Sequence, residues 1–107
     1  MLRIHDVSVQ LVREVAPMAK KIERQDRDLA RQLRRALSSV PLNVAEGSDQ
    51  RGKRRGSHYS IALGSAREAW SALLTATAWG YVEGPSLELK ARFDHVVGTL
   101  YRVVHVR

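Results

Sequence analysis

Two glutamates, Glu46 and Glu68, are the first residues of this chain to consider for chemistry. A pair of carboxylates can perform acid–base catalysis or bind a metal ion. Glu46 lies in the run 39–47 (SVPLNVAEG), one helical turn after Asn43, so the two polar side chains lie on one side of a helix. A di-iron site in a helix bundle uses Glu-x-x-His repeats. Neither glutamate is followed by a histidine three residues later, so that signature is missing.

The alternative role of Glu46 is structural. Buried polar side chains need hydrogen-bond partners, and Glu46 would accept hydrogen bonds from Asn43, Ser65, Tyr59 or a nearby arginine. These bonds would fix the register between the second and third helices, beside a kink at Pro41, which destabilises a plain helix interior by roughly 3 kcal/mol. We favour this interpretation. The predicted structural motif consists of Pro41, Asn43, Glu46, Gly47, Ser65 and Glu68.

Other residues that could support catalysis or metal binding lack the necessary spacing. No histidine lies three or four positions from another, the four being His5, His58, His95 and His105. Ser65 lacks the G-x-S-x-G pattern of a nucleophile elbow, and residues 52–56 (GKRRG) lack that of a phosphate-binding loop. There is no cysteine, which excludes disulfides and thiolate metal sites. We therefore expect a protein that is not an enzyme and has no metal, cofactor or small-molecule substrate.

Positive charge is the strongest candidate binding feature. The formal net charge is +7, and residues 1–55 carry 13 Lys and Arg against 7 Asp and Glu, whereas residues 56–107 carry 5 against 4. Contacts from such side chains to phosphates give affinity for nucleic acid without reading its sequence. The candidate residues are Arg27, Arg31, Arg34 and Arg35 at helical spacing, and Arg51, Lys53, Arg54 and Arg55 in the segment that follows Gly47.

Other uses of this charge remain open. Asp28 lies three residues before Arg31, and Glu23 lies four before Arg27, so intrachain pairs could occupy part of the stripe. The basic residues could also form an ordinary solvated helix surface. The alternative function is a protein-interaction scaffold that meets an acidic partner and does not bind nucleic acid.

Four helices position these residues, and no strand-like alternation is present. Apolar periodicity predicts a single domain over residues 1–107, with helices over residues 6–23, 26–47, 57–80 and 86–105. Pro17 is expected to kink the first helix or split it, and Gly47 to end the second. Residues 48–56 are expected to form a polar loop. Short loops between long helices predict an all-α, antiparallel up-down-up-down four-helix bundle.

The third helix is apolar on more than one face. One apolar stripe runs from Ala62 to Ala76 and an adjoining one from Tyr59 to Thr77. Because a surface helix needs only one stripe, we expect coverage on two sides, partly by another subunit. The aromatic residues Tyr59, Trp70, Trp79 and Tyr81 could stack on bases, but their positions favour packing in the core or at an interface.

Several blocks of the sequence match a known family. Gln32 to Ala36 (QLRRA) leads into Val40 to Gly47 (VPLNVAEG), and Ile61 to Glu68 (IALGSARE) and Trp79 to Tyr81 (WGY) follow. Together these blocks, within roughly residues 7–100, resemble the bacterial four helix bundle protein family. Its members were first described as products of intervening sequences in large-subunit ribosomal RNA genes. They are related to the accessory variability determinant of diversity-generating retroelements.

The resemblance implies an all-α bundle that assembles into a homopentameric ring or barrel. In the retroelement branch it also implies binding to nucleic acid and to a reverse transcriptase. Pro17 and the long basic segment after Gly47 depart from the family pattern, and the added charge strengthens the nucleic-acid hypothesis. We expect a cytoplasmic, non-enzymatic homopentamer that binds RNA or DNA, with a reverse transcriptase as a further candidate partner. No signal peptide and no membrane-spanning segment is expected.

Overall fold

The computed structural model describes residues 2–49 and 53–105, and these ranges contain four helices and no strand. The helices are α1 (Leu2–Gln25), α2 (Arg27–Ser48), α3 (Lys53–Trp79) and α4 (Leu87–His105). This confirms the all-α fold. The largest differences from the predicted boundaries are at the starts of α1 and α3, each four residues earlier than expected. None of these helices combines the length and apolar character needed to cross a membrane.

α1 runs through Pro17 as one helix, so of the two expected effects of this proline, a kink or a split, the split is wrong. Pro17 is exposed, whereas Leu11, Val15 and Ile22 on either side of it are 0–2% exposed. Burying such a side chain contributes about 1.5–3 kcal/mol. A proline inside a helix costs about 3 kcal/mol, so a continuous buried stripe outweighs it.

Both ends of α2 are capped, the N-terminal end by a side chain and the C-terminal end by a backbone amide. Asp26 has extended backbone angles, and its carboxylate accepts a hydrogen bond of 3.0 Å from the amide of Leu29. At the other end the helix continues past Gly47 to Ser48, and Asp49 is the C-cap in a right-handed conformation. Gly47 is therefore not the C-terminal glycine that the sequence predicted. Pro41 also lies inside the continuous helix.

The core lies where each helix meets its neighbours. α2 packs against α1 and α3, and α4 packs against α3 and α1. Tyr59 and Phe93 are the largest fully buried side chains. An ion pair between Glu14 and Arg92 joins α1 to α4.

α3 lies close to its neighbours because its buried stripe is built from small residues. Ala62, Ala66, Ala69 and Ala76 are all 0% exposed. The outer side of α3 has no helix packed on it within the described chain and is only weakly polar. Ile61 is 48% and Leu74 46% exposed, at opposite edges of this side.

Candidate nucleic-acid interface

The α2 arginines lie together on the outside of the protein near the turn that joins α1 to α2. Arg27, Arg31 and Arg35 are four residues apart, so they lie on one side of α2, and all three are exposed. With Arg34 they line an open depression of about 840 Å³. Arg24 also lines it, from the last turn of α1.

Two of these arginines neutralise acidic neighbours. Arg31 pairs with Asp28 at 2.9 Å, as the spacing allowed. Glu23 pairs with Arg34 across the two helices at 2.7 Å, and not with Arg27. Both pairs are exposed, so each contributes at most about 1 kcal/mol to stability.

Three guanidinium groups around the same depression remain available. Among the ion pairs and hydrogen bonds of the described residues, none involves Arg24, Arg27 or Arg35. Asp28 and Glu23 are paired, and Asp26, the third carboxylate of the lining, caps α2, so five arginines against three carboxylates leave the depression with a net positive charge. A phosphate group could therefore bind there without displacing an internal partner.

The described part of the second predicted basic group is helical and not a loop. Lys53, Arg54 and Arg55 belong to the first turn of α3, while Arg51 lies outside the described residues. Arg54 and Arg55 are exposed, and the Arg55 guanidinium lies 5.5 Å from the centre of the Tyr59 ring. The first turn of α3 contains no acidic residue. Cations at a helix N-terminus are disfavoured by about 0.3–1 kcal/mol each, so this concentration of charge does not stabilise α3.

The two basic groups lie towards opposite ends of α2. Contacts between α2 and α3, and between the residues that flank their ends, pair in reverse order: Asp26 with Tyr81, Ser39 with Ser65, Asn43 with His58 and Gly47 with Tyr59. Twenty residues separate Arg27 from Gly47, which is about 30 Å along a helix at 1.5 Å per residue. The basic residues therefore extend along much of the protein, whose longest dimension is 42 Å.

The structural motif is centred on Asn43, not on Glu46. The Asn43 amide donates to the Ser39 backbone carbonyl and to the Ser39 hydroxyl, both at 2.9 Å, and its oxygen lies 3.0 Å from His58 Nδ1. The Ser65 hydroxyl donates to that of Ser39 at 2.8 Å, which links α3 to the same network. This connection between α2 and α3 was predicted, but through other atoms.

Glu46 was predicted to accept these hydrogen bonds, and that prediction is wrong. Glu46 is exposed, and among the described residues its carboxylate accepts no hydrogen bond; only its backbone carbonyl accepts one, from the amide of Asp49. Glu68 is also exposed and lines a separate depression of about 330 Å³ beside Ser39 and Ser65. Since Asn43 contacts His58, Glu68 lies about 15 Å further along α3, and the two glutamates do not form a carboxylate pair.

Gly47 has a packing role that periodicity did not reveal. A Cβ atom at position 47 would lie 2.6 Å from Cε1 and 2.8 Å from Cδ1 of Tyr59. The Tyr59 ring thus packs directly on the α2 backbone. The Tyr59 hydroxyl is buried there, with no hydrogen-bond partner among the described residues.

The described residues also show no group of three His, Asp or Glu side chains that could hold a metal ion.

Fold and surface together define an all-α, four-helix protein with exposed arginines at one end of α2 and a second basic turn towards the other. The chain belongs to the 23S rRNA-intervening sequence protein family, whose family model matches residues 1–102. This confirms the resemblance carried by the sequence blocks. Comparisons with curated proteins and with solved structures gave no match.

Proposed function

We propose that this protein binds RNA or DNA through phosphate contacts and does so without catalysing a reaction. The observation that carries the proposal is the set of three exposed guanidinium groups, Arg24, Arg27 and Arg35, around one open depression, none of them paired with another described residue. Arginine forms strong charge-assisted hydrogen bonds to phosphate, and the formal net charge of +7 favours association with a polyanion.

The first turn of α3 supports the same proposal. Arg54 and Arg55 are held at a helix end that disfavours cations, with no acidic residue in that turn to offset them. A phosphate of a bound nucleic acid would relieve this unfavourable arrangement. The family description refers to intervening sequences of 23S rRNA, which makes RNA the first ligand to test.

We also propose that the four helices alternate up-down-up-down and that the chain forms a homopentamer. The reversed order of the α2–α3 contacts supports the first point. The weakly polar outer side of α3, bordered by Ile61 and Leu74, which are about half exposed, offers a surface for a second subunit. Five copies would carry a formal charge of about +35, so a weak contact per subunit would become strong by multivalency.

A salt series with a labelled RNA tests nucleic-acid binding. The logarithm of the affinity is expected to fall linearly with the logarithm of salt concentration, by about 0.7–0.9 for each phosphate contact. The double variant Arg27→Gln, Arg35→Gln is expected to weaken binding and flatten this slope. The matched control, Arg13→Gln with Arg102→Gln, removes two exposed charges from α1 and α4 instead. Absence of binding at low salt, or equal effects of both double variants, would reject the proposed interface.

Light scattering on the purified protein tests the assembly. One chain is 12.0 kDa, so a pentamer is expected at about 60 kDa and a monomer would contradict it.

A role beside a reverse transcriptase is a narrower form of the proposal. A neighbouring reverse transcriptase gene that lies with template and variable repeats would support that role, and its absence would leave only the general binding function.

A further inference from the structure

Trp79, the last residue of α3, is unusually exposed for a tryptophan. It is 68% exposed, whereas Trp70, the other tryptophan, is half-buried with its ring centre 5.1 Å from that of Phe93. The sequence had favoured packing in the core or at an interface for both. Within this chain Trp79 is not a core residue, and the arginine contacts proposed above do not explain its position.

The Trp79 ring is held in a defined orientation beside Tyr81. The two rings are nearly parallel, at 12°, with centres 6.1 Å apart. Between them Gly80 adopts a positive φ of 81°, and the Tyr81 amide donates to the carbonyl of Ala76 at 3.0 Å. This helix-ending turn requires a left-handed residue, for which glycine is the usual choice. It returns the chain over the end of α3 and fixes the aromatic pair.

The aromatic pair lies next to the arginine-lined depression. The Tyr81 hydroxyl lies 3.4 Å from a carboxylate oxygen of Asp26, to which it donates, and Asp26 lines that depression immediately before Arg27. An exposed aromatic surface and unpaired guanidinium groups therefore occur at the same end of the protein. Sites for single-stranded nucleic acids combine these two features.

We propose that Trp79 and Tyr81 form a stacking platform for an unpaired base, and that the natural ligand is therefore single-stranded. This inference rests on the proposed nucleic-acid binding function and narrows it to one ligand class. With Tyr81 on one side of the indole, a base on the other side extends the parallel stack, while the adjoining phosphates reach Arg27 and Arg35. A duplex offers the same phosphates, but its bases are already stacked on one another, so Trp79 discriminates between the two forms.

The test compares a labelled RNA strand of about 12 nucleotides, within the usual range of single-strand site sizes, with the same strand annealed to its complement. Affinity is measured by fluorescence anisotropy, and contact with Trp79 by quenching of tryptophan fluorescence. The variants are Trp79→Ala and Trp79→Phe, with Tyr101→Ala as the matched control. Tyr101 is an exposed aromatic residue of α4 that does not line the depression.

The wild-type protein is expected to bind the single strand more tightly than the duplex, with quenching. Trp79→Ala is expected to weaken single-strand binding roughly tenfold, with duplex binding and the Tyr101→Ala control unchanged. Trp79→Phe retains a ring and is expected to stay closer to wild type. It loses the quenching, because only half-buried Trp70 remains to report.

Equal affinity for both strand forms without quenching would overturn the stacking platform but leave phosphate binding intact. A second outcome would also overturn the stacking platform: Trp79→Ala reduces the molar mass in light scattering and weakens binding to both strand forms equally. That result would identify Trp79 as a subunit contact. Failure of the wild-type protein to bind either form would instead refute the proposed function itself.

Discussion

Substituting Gly47 with alanine tests the closest contact between α2 and α3. Inside an ordinary helix this change stabilises a protein by roughly 0.5–1 kcal/mol, because glycine loses more backbone freedom on folding. At position 47 the new Cβ would lie 2.6 Å from Tyr59 Cε1 and 3.0 Å from Cζ, so a fully buried ring must move. Overpacking of this kind costs about 1–3 kcal/mol. The net expectation is a destabilisation of about 1 kcal/mol, or roughly 4–8 °C in Tm.

The assay is urea denaturation at a fixed protein concentration, since oligomerisation makes stability depend on concentration. Gly98→Ala is the matched control: this glycine of α4 is also helical, and a Cβ there would meet only the end of the flexible Arg102 side chain, at 3.5 Å. It is expected to stabilise the protein by roughly 0.5–1 kcal/mol. Replacing Tyr59 by leucine removes the clashing ring, whereas phenylalanine keeps it. Gly47→Ala should therefore become stabilising in the Tyr59→Leu background and stay destabilising in Tyr59→Phe. Stabilisation of the wild-type protein by Gly47→Ala would refute the reasoning.

Three further predictions concern the polar contacts. Asn43→Ala is expected to lower the free energy of unfolding by about 1–2 kcal/mol, because it removes hydrogen bonds to Ser39 and His58. Glu46 is exposed, so Glu46→Ala should stay within about 0.5 kcal/mol of wild type in the same denaturation assay. A larger loss for Glu46→Ala than for Asn43→Ala would contradict the assignment of the structural motif to Asn43. Asp26→Ala removes the α2 N-cap and is expected to lower the free energy of unfolding by about 1 kcal/mol. Asp26→Asn can still cap the helix and should lower it less. Equal losses of stability for the two variants in urea denaturation would contradict the capping role. Partial burial, then the charge of Asp26 and the hydrogen bond to it, raise the pKa of Tyr81 above 10.0. Since the raised pKa belongs to the folded state, the stability from this contact is present below about pH 10 and is lost as pH rises through the folded-state pKa. NMR titration of the three tyrosines should show the Tyr81 pKa fall in Asp26→Asn, and no fall would contradict the cause given.

Apolar spacing was sufficient to predict the helices and much of their buried surface. The apolar residues that recur at helical spacing along α2 are Leu29, Leu33, Leu37, Val40 and Val44; the last four are at most 3% exposed, and Leu29 is half-buried. The start of α3 was missed because its first turn has neither apolar periodicity nor an acidic residue at its N-terminal end. Charge clusters of that kind are more typical of loops.

The site was harder to predict because spacing does not give depth or contacts between helices. Residues three apart differ by 300° around a helix, so Glu46 lies about 60° around α2 from Asn43. This rotation places the Asn43 amide in a half-buried position and the Glu46 carboxylate in an exposed one. The pairing of Arg34 with Glu23 joins two helices, and spacing along one helix cannot reveal it.

The way the helices pack also bears on how this chain folds. Of the four main helix contacts among the described residues, three join neighbours in sequence, and the contact of α1 with α4 joins the two ends of the chain. Local contacts form with little loss of chain entropy, and proteins rich in them fold quickly. We expect the α2–α3 hairpin, with its direct Gly47–Tyr59 contact, to act as the folding nucleus. The Glu14–Arg92 ion pair between α1 and α4 would then form after the transition state, so its loss would speed unfolding more than it slows folding.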